Sequence, residues 1–273
     1  MTPVTSVRVN TPGRTLLNIN SAVKTNSWLS SWSPNSKARL RLFCSPYAGG
    51  SSLVFRDWHK TLPRAVEVCP IQLPGRGSRL REASFTQLSA LVVALAEALQ
   101  PQLEMPFAFF GHSMGAIINF ELARLLRKEY GLTPLHLFVS GRRAPQVPRR
   151  EPVTHNLPEP EFLRELSRLK GTPTEILTNF ELMQLMLPVL RADFALCETY
   201  TYVAEAPLTC PISAFGGLQD RRVTSQDLED WRKQTNSFYR LRMLPGDHFF
   251  LNTAQPLLLE LLTRELVELV KLL

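Results

Sequence analysis

The chain has 273 residues, 44% hydrophobic and 20% charged, enough to bury a large core as a single α/β unit and too apolar for an intrinsically disordered protein. Its most apolar stretch, Ala90 to Leu99, carries Glu97 and is too short to span a bilayer, so no membrane association is expected. Of the formal +7 charge, residues 1–38 supply four basic groups (Arg8, Arg14, Lys24, Lys37) and no acid, leaving +3 for the remainder, with no basic helix face to suggest a nucleic-acid partner.

Residues 1–27 are rich in Ser, Thr, Asn and Pro and read as a disordered leader that becomes ordered near Trp28 or Trp32. They contain no secretory signal, although an Arg-bearing, acid-free start also fits an organelle transit peptide. From residue 28 to 273 a single domain is expected. Strands are predicted at Leu40–Cys44, Val66–Leu73, Phe107–Phe110, Leu135–Ser140, Pro211–Phe215 and Arg240–Leu244. Helices are predicted at Leu53–Leu62, Phe85–Leu103, Met114–Tyr130, Ser225–Gln234 and Gln255–Leu272. Short apolar strands alternating with amphipathic helices imply a mostly parallel sheet covered on both faces.

The alternation breaks at about residues 146–208. Pro160–Lys170, Pro173–Asn179 and Phe180–Tyr202 are all helical in pattern, which predicts a helical lid inserted after the Leu135–Ser140 strand. Its apolar positions (Leu163, Leu166, Leu169, Ile176, Leu177, Leu182, Leu185, Met186, Leu190) should pack mainly on one another, with a minority lining an acyl-binding space. Cys44, Cys69, Cys197 and Cys210 form neither a C-x-x-C pair nor a metal-ligand spacing with histidine. They read as buried reduced thiols in a cytoplasmic protein, with no metal site.

The chemistry concentrates at Gly111-His-Ser-Met-Gly115, between an aromatic strand and an apolar helix start. A serine on such a turn is pushed out at the sheet edge, and the flanking glycines let the backbone cross without Cβ clashes. Ser113 is therefore the candidate nucleophile. A serine hydroxyl needs a base. Among the five histidines, His248 follows a strand through Pro-Gly-Asp and sits at a carboxyl end. His136 lies inside a strand, His112 adjoins the nucleophile as a structural residue, and His59 and His155 have no claim. Asp220 closes a strand running into Gly216-Gly217 and is the candidate acid, with Asp247 as the rival. The order Ser113, Asp220, His248 is that of an α/β-hydrolase fold. For the oxyanion, the amide of Met114 is one candidate donor. The loop Ser45-Pro-Tyr-Ala-Gly-Gly-Ser51 offers the other, Ala48 first and Tyr47 second.

Six motifs occur in order: Pro46-Tyr-Ala-Gly-Gly50, Leu73-Pro-Gly-Arg-Gly-Ser-Arg79, Gly111-His-Ser-Met-Gly115, Ser140-Gly-Arg-Arg-Ala-Pro145, Leu187-Pro-Val-Leu-Arg-Ala-Asp193 and Gly246-Asp-His-Phe-Phe250. Together they resemble the type II thioesterases that accompany non-ribosomal peptide and polyketide synthetases, from about Trp28 to the final helix. That resemblance implies an editing hydrolase that clears misprimed or stalled acyl thioesters from the phosphopantetheine arm of carrier proteins. It implies Ser113, Asp220 and His248 as triad, Ala48 and Met114 as oxyanion donors, and no cofactor of the enzyme's own. The chain departs from many relatives at Tyr47, where His is common, at Ala83, where Pro is common, and in its longer leader.

Alternatives are a thioesterase for fatty-acyl carriers or acyl-CoA, a general carboxylic-ester hydrolase, and a hydrolase-fold binding module. The last would normally lack a triad member. Arg76, Arg79 and Arg81, Arg142 and Arg143, and Arg221 and Arg222 follow three different strands. They either form a basic rim that steers an acidic carrier protein, with Arg76, Arg79, Arg142, Arg143 and Arg221 as candidate contacts, or pair with acids such as Glu159, Glu161 and Glu165 and brace the loops. A monomer is expected.

Overall fold

The computed structural model describes residues 26–29, 32–169, 171 and 178–273. The leader up to residue 25, and Pro173 to Leu177 of the candidate helix ending at Asn179, lie outside those residues. The described strands are β1 (Leu40–Ser45), β2 (Val66–Pro70), β3 (Phe107–His112), β4 (Leu137–Ser140), β5 (Ile212–Gly217) and β6 (Tyr239–Leu244). They form one six-stranded sheet in the order β2-β1-β3-β4-β5-β6, with every pairing parallel. The strands are nearly continuous apolar runs because both faces are covered. On β3 the side chains alternate: Phe107 and Phe109 enter the core beneath α1 (Leu88–Leu99) and α2 (Met114–Leu125), while Ala108 and Phe110 enter the opposite core. That second core is closed by Leu258, Leu259, Leu262 and Leu266 of the C-terminal helix. Each fully buried Phe contributes roughly 1.5–3 kcal/mol of transfer free energy.

The α/β-hydrolase class read from the sequence holds, and the differences are local. Residues 53–62 form two 3₁₀ turns, Ser52–Phe55 and Trp58–Lys60, instead of one helix. Asp57 sits between them at φ −98° and ψ 0°, outside helical geometry. The helix predicted from Phe85 begins at Leu88 and turns 3₁₀ at Gln100–Gln102, where Pro101 lacks the amide to continue it. The chain after Leu125 widens into a π turn, Leu126–Tyr130, and stops at Gly131 in the left-handed conformation.

Between β4 and β5 lie α3 (Glu159–Leu169) and α4 (Phe180–Thr199). They share a small core of Phe162, Leu166, Met183, Leu187 and Leu190, so the inserted segment does pack largely on itself. Leu182 and Leu185, assigned to that packing from sequence, are exposed on the first turns of α4.

The strand order reverses between β1 and β3, and open parallel sheets bind ligands where such a reversal parts the connections. The turn after β1 and the turn after β3 are brought side by side there by the register Ser45↔Gly111. Their approach leaves no room for a methyl group. A Cβ on Gly115 would lie 2.0 Å from the Ser45 carbonyl oxygen, and one on Gly111 would lie 2.2 Å from the Gly115 carbonyl oxygen. Gly115→Ala should therefore destabilise the fold by about 1–3 kcal/mol or more through backbone overpacking. Gly131→Ala, whose Cβ would meet nothing within 4 Å, should cost only the roughly 1–2 kcal/mol of a left-handed non-glycine. Urea unfolding of the two variants checks this ranking, and equal losses would show that the Gly115 contact is relaxed at no cost.

Candidate active site

At the end of β3 the backbone turns so sharply that Ser113 adopts φ 53° and ψ −108°. Among the described residues it is the one non-glycine with positive φ. Such a conformation costs on the order of 1–3 kcal/mol and persists only where its surroundings hold it. Here the Ser113 amide donates to the Ser140 carbonyl at 2.7 Å, and the Ser113 carbonyl accepts from the Ala116 amide at 3.1 Å as α2 begins.

The three residues singled out for the triad converge. Ser113 Oγ lies 3.0 Å from His248 Nε2, and His248 Nδ1 lies 2.7 Å from Asp220 Oδ2. Asp220 Oδ1 accepts from the amides of Arg222 at 2.8 Å and Val223 at 3.2 Å, which fixes the carboxylate at the end of β5. Burial pushes the Asp220 carboxyl up, but the bond to His248, its charge and those two amides outweigh burial and hold it below the usual carboxylate value. An ionised Asp220 holds the Nδ1–H tautomer of His248 and leaves Nε2 free to accept from Ser113. The rival Asp247 instead caps its own turn, with Oδ1 accepting from the Phe249 amide.

His112 takes a structural part, as expected, between two distant segments. Its ring is fully buried, with Nδ1 at 2.8 Å from Ser140 Oγ and Nε2 at 3.0 Å from the His248 carbonyl oxygen. A carbonyl only accepts, so Nε2 carries the proton and Nδ1 accepts from Ser140. Burial first, with the neighbouring His248 adding to it, pushes the His112 pKa down to about 3. The ring is therefore a neutral strut that joins the nucleophile turn to the His248 loop. The sequence hint was its position beside Ser113, but its partner lies 136 residues away.

The turn after β1 approaches from the other side. Gly50 N–H donates to the Tyr47 carbonyl at 2.9 Å, and Gly49 sits at φ 77°, the signature of a type II turn with Ala48 and Gly49 at its centre. Beside it opens a cavity of about 460 Å³ walled by this turn, Leu53, Val54, Met186 and Leu190. Asn252 and Gln255 contribute its polar edge. Among the described residues, no acceptor occupies the amides of Ala48 or Met114.

The basic rim does not form as read. Arg76 and Arg79 are buried. Arg76 forms a two-pronged ion pair with Asp193 of α4, at 2.5 and 2.7 Å. Arg79 pairs with Glu82 at 2.5 Å and stacks over Trp28 at 4.1 Å. Arg143, also buried, pairs with Glu151 and donates to the Arg222 carbonyl at 3.2 Å. Arg142 is half-buried beside the Cys197 thiol, and Arg221 alone of the five is exposed. A guanidinium finds a carboxylate within its own fold more cheaply than it stays unpaired in a crowded loop. The acids involved are not those named from sequence: Glu159 bonds Gln184, Glu161 pairs with Arg164, and Glu165 pairs with Arg168. His136 bonds Ser213, His155 pairs with Glu198 and His59 bonds the Arg56 carbonyl, all apart from Ser113. Asp193 was missed as a site-shaping residue, although one acid within the apolar run Leu187–Leu196 was a legible oddity.

A thioesterase domain family model matches residues 40–266. The gramicidin S biosynthesis protein GrsT of Aneurinibacillus migulanus is 48% identical over 241 residues, covering 88% of this chain and 94% of that protein. The medium-chain S-acyl fatty acid synthase thioesterase of Rattus norvegicus is 34% identical over 222 residues, covering 80% of this chain and 83% of that protein. RedJ, the thioesterase from the prodiginine biosynthetic pathway in Streptomyces coelicolor, superposes with a TM-score of 0.80 at 39% identity, covering 85% of this chain and 92% of its own.

Because His112 binds its proton near pH 3 in the fold and near pH 6.5 when unfolded, the unfolded chain holds the extra proton between those values. The contribution of a neutral His112 is complete above about pH 6.5 and declines as pH falls toward 3. Between pH 7 and 5 the loss from this residue should be on the order of 2 kcal/mol. His112→Gln should show a flatter decline in chemical denaturation across the same range. A variant with the wild-type slope would mean that the buried ring takes up a proton without penalty.

Proposed function

The chain belongs to the thioesterase family, and we propose that within it the protein is a stand-alone editing enzyme that hydrolyses acyl thioesters from the phosphopantetheine arm of carrier-protein domains. Support comes from the gramicidin S biosynthesis protein GrsT, at 48% identity, and from RedJ, the thioesterase from the prodiginine biosynthetic pathway, at 39%. The observation that carries the hydrolytic chemistry is the unbroken relay from Ser113 Oγ through His248 to an ionised Asp220.

In this reading Ser113 Oγ attacks the thioester carbonyl carbon while His248 Nε2 takes its proton. The carbonyl oxygen becomes an oxyanion that accepts from the amides of Ala48 and Met114, each worth roughly a hundred- to a thousandfold in rate. Collapse breaks the C–S bond, and the proton on His248 passes to the departing pantetheine thiolate. Water then enters, gives a proton to His248 and attacks the acyl-serine ester. The second collapse releases a carboxylic acid and returns the proton to Ser113. His248 handles every proton in both steps, so the scheme asks for no cofactor beyond the arm that the partner brings. The cavity at the Tyr47–Ser51 turn, with Met186 and Leu190 on its wall, is the proposed place for the bound acyl-pantetheine, and the inserted segment is proposed to cover it as a lid. A monomer acting in the cytoplasm completes the proposal. Among the described residues no helix is long and apolar enough to cross a membrane.

Purified enzyme should release acyl groups from a loaded carrier domain faster than from acyl-CoA or simple esters. Ser113→Ala should abolish turnover, and Asp220→Asn should lower kcat by about 10³- to 10⁴-fold by losing the tautomer lock. Substantial turnover by Ser113→Ala would refute the nucleophile assignment. A clear preference for medium-chain acyl-CoA, or for acyl groups on a fatty-acid carrier, would shift the substrate reading toward the rat relative.

A further inference from the structure

The buried pair Arg76–Asp193 lies outside the relay yet grips the turn from which one oxyanion donor is proposed to come. Asp193 is fully buried on α4, and its Oδ2 accepts from the Gly49 amide at 2.7 Å while also binding Arg76 Nη1 at 2.5 Å. Arg76 Nη2 holds the other carboxylate oxygen at 2.7 Å, and Nη1 also donates to the Gly50 carbonyl at 3.2 Å. On the same side a Cβ at Gly49 would lie 2.6 Å from Leu190 Cδ2, so α4 comes too close to the turn to leave room for a side chain there.

These contacts act on one peptide group. The Gly49 amide belongs to the Ala48–Gly49 peptide, the central unit of the type II turn. Types I and II differ by about a half-turn rotation of that unit, so whatever holds its N–H selects between them. Asp193 holds it, and Arg76 holds both Asp193 and the carbonyl that follows. We infer that Asp193 and Arg76 are positioning residues: through the Gly49 amide and the Gly50 carbonyl they hold the Tyr47–Gly50 turn in its type II form and in place, and so fix the adjoining Ala48, whose own amide lies on the preceding Tyr47–Ala48 peptide, where it can meet the developing oxyanion. This inference rests on the oxyanion role proposed above for Ala48. It gives the inserted segment between β4 and β5 a direct part in transition-state stabilisation, since a donor must be fixed before charge develops to contribute fully. A shift of α4 away from the sheet would have to carry the turn with it or break these bonds.

The test uses a short acyl-N-acetylcysteamine thioester as substrate and an alkylboronic acid as a tetrahedral oxyanion mimic, with the full chain. Asp193→Asn keeps an oxygen that can accept from Gly49 and should lose about tenfold in kcat. Asp193→Ala should lose about a hundredfold, the lower end of what a full oxyanion donor contributes. The double variant Arg76→Met/Asp193→Leu leaves no buried charge unpaired and so preserves folding if Asp193→Ala does not. It should also lose about a hundredfold, because nothing accepts from Gly49. In each case KM should change less than about threefold, and boronic-acid Ki should rise by the same factor as kcat falls, which a merely structural role would not produce. Folded variants with wild-type kcat and Ki, or with losses confined to KM, would overturn the inference while leaving the Ser113 assignment standing. Turnover surviving in Ser113→Ala would remove the reading beneath it as well.

Discussion

The site depends on one backbone contact: the start of α2 rests on the end of β1 so closely that Gly115 faces the Ser45 carbonyl with no space for a side chain. Parallel pairing of β1 with β3 sets the height at which the two chains leave the sheet, and the absent Cβ sets how near they come. Everything chemical follows from that proximity. The turn after β1 reaches the serine turn after β3, and the positive φ of Ser113 projects its hydroxyl into the shared crevice. The strain at Ser113 is held by bonds on both sides of it, the Ser140 carbonyl before and the Ala116 amide after. A looser junction would let the turn relax and withdraw the hydroxyl.

Around that junction the side chains of Asp220 and His112 are buried with hydrogen-bond partners in place. Asp220 remains ionised because two amides and an imidazole oppose the cost of burial. His112 remains neutral chiefly because burial disfavours its charged form, with the neighbouring His248 adding to that. The two environments lie within one cluster of rings, with His112 and His248 centroids 5.5 Å apart. Asp220 and His112 are both kept without a further proton, the one as an anion and the other as a neutral ring.

The parts of this arrangement that were legible in the sequence are those encoded by local grammar. Gly111-x-Ser113-x-Gly115 announces a turn because glycines are needed within two residues of it, and strand endings mark where His248 and Asp220 emerge. Alternating apolar strands and amphipathic helices announce the sheet for the same reason. Long-range pairing has no such grammar. Arg76 and Asp193 are 117 residues apart, and nothing in Leu73-Pro-Gly-Arg says that its guanidinium turns inward. Of the two readings open for Arg76, Arg79 and Arg143, pairing and loop bracing holds, but with acids other than those named, because charge in a loop is visible in sequence while its partner is not. The helix expected over residues 53–62 failed in a related way. Its apolar spacing suits a helix, but Phe55 and Trp58 are drawn into edge-to-face packing with Phe110, and two short turns deliver both rings where one helix was expected.

The redirected arginines change how the inserted segment is understood. A lid held only by apolar contact could swing freely above a finished catalytic centre. Here α4 carries a buried carboxylate that is bonded to the turn beside the serine, and the cation that neutralises it comes from the loop after β2. Three separate connections therefore meet at one carboxylate. Removing such a charge from its partners is costly in a dry interior, so the segment and the turn are held to move as a unit or not at all. The exposed first turns of α4, with Phe180, Leu182 and Leu185 facing outward, are the stretch least tied to the sheet among the described residues of that helix. The geometry thus gives α4 one half bonded to the turn beside the serine and a first half that packs on α3 through Met183 and Gln184 while Phe180, Leu182 and Leu185 face outward.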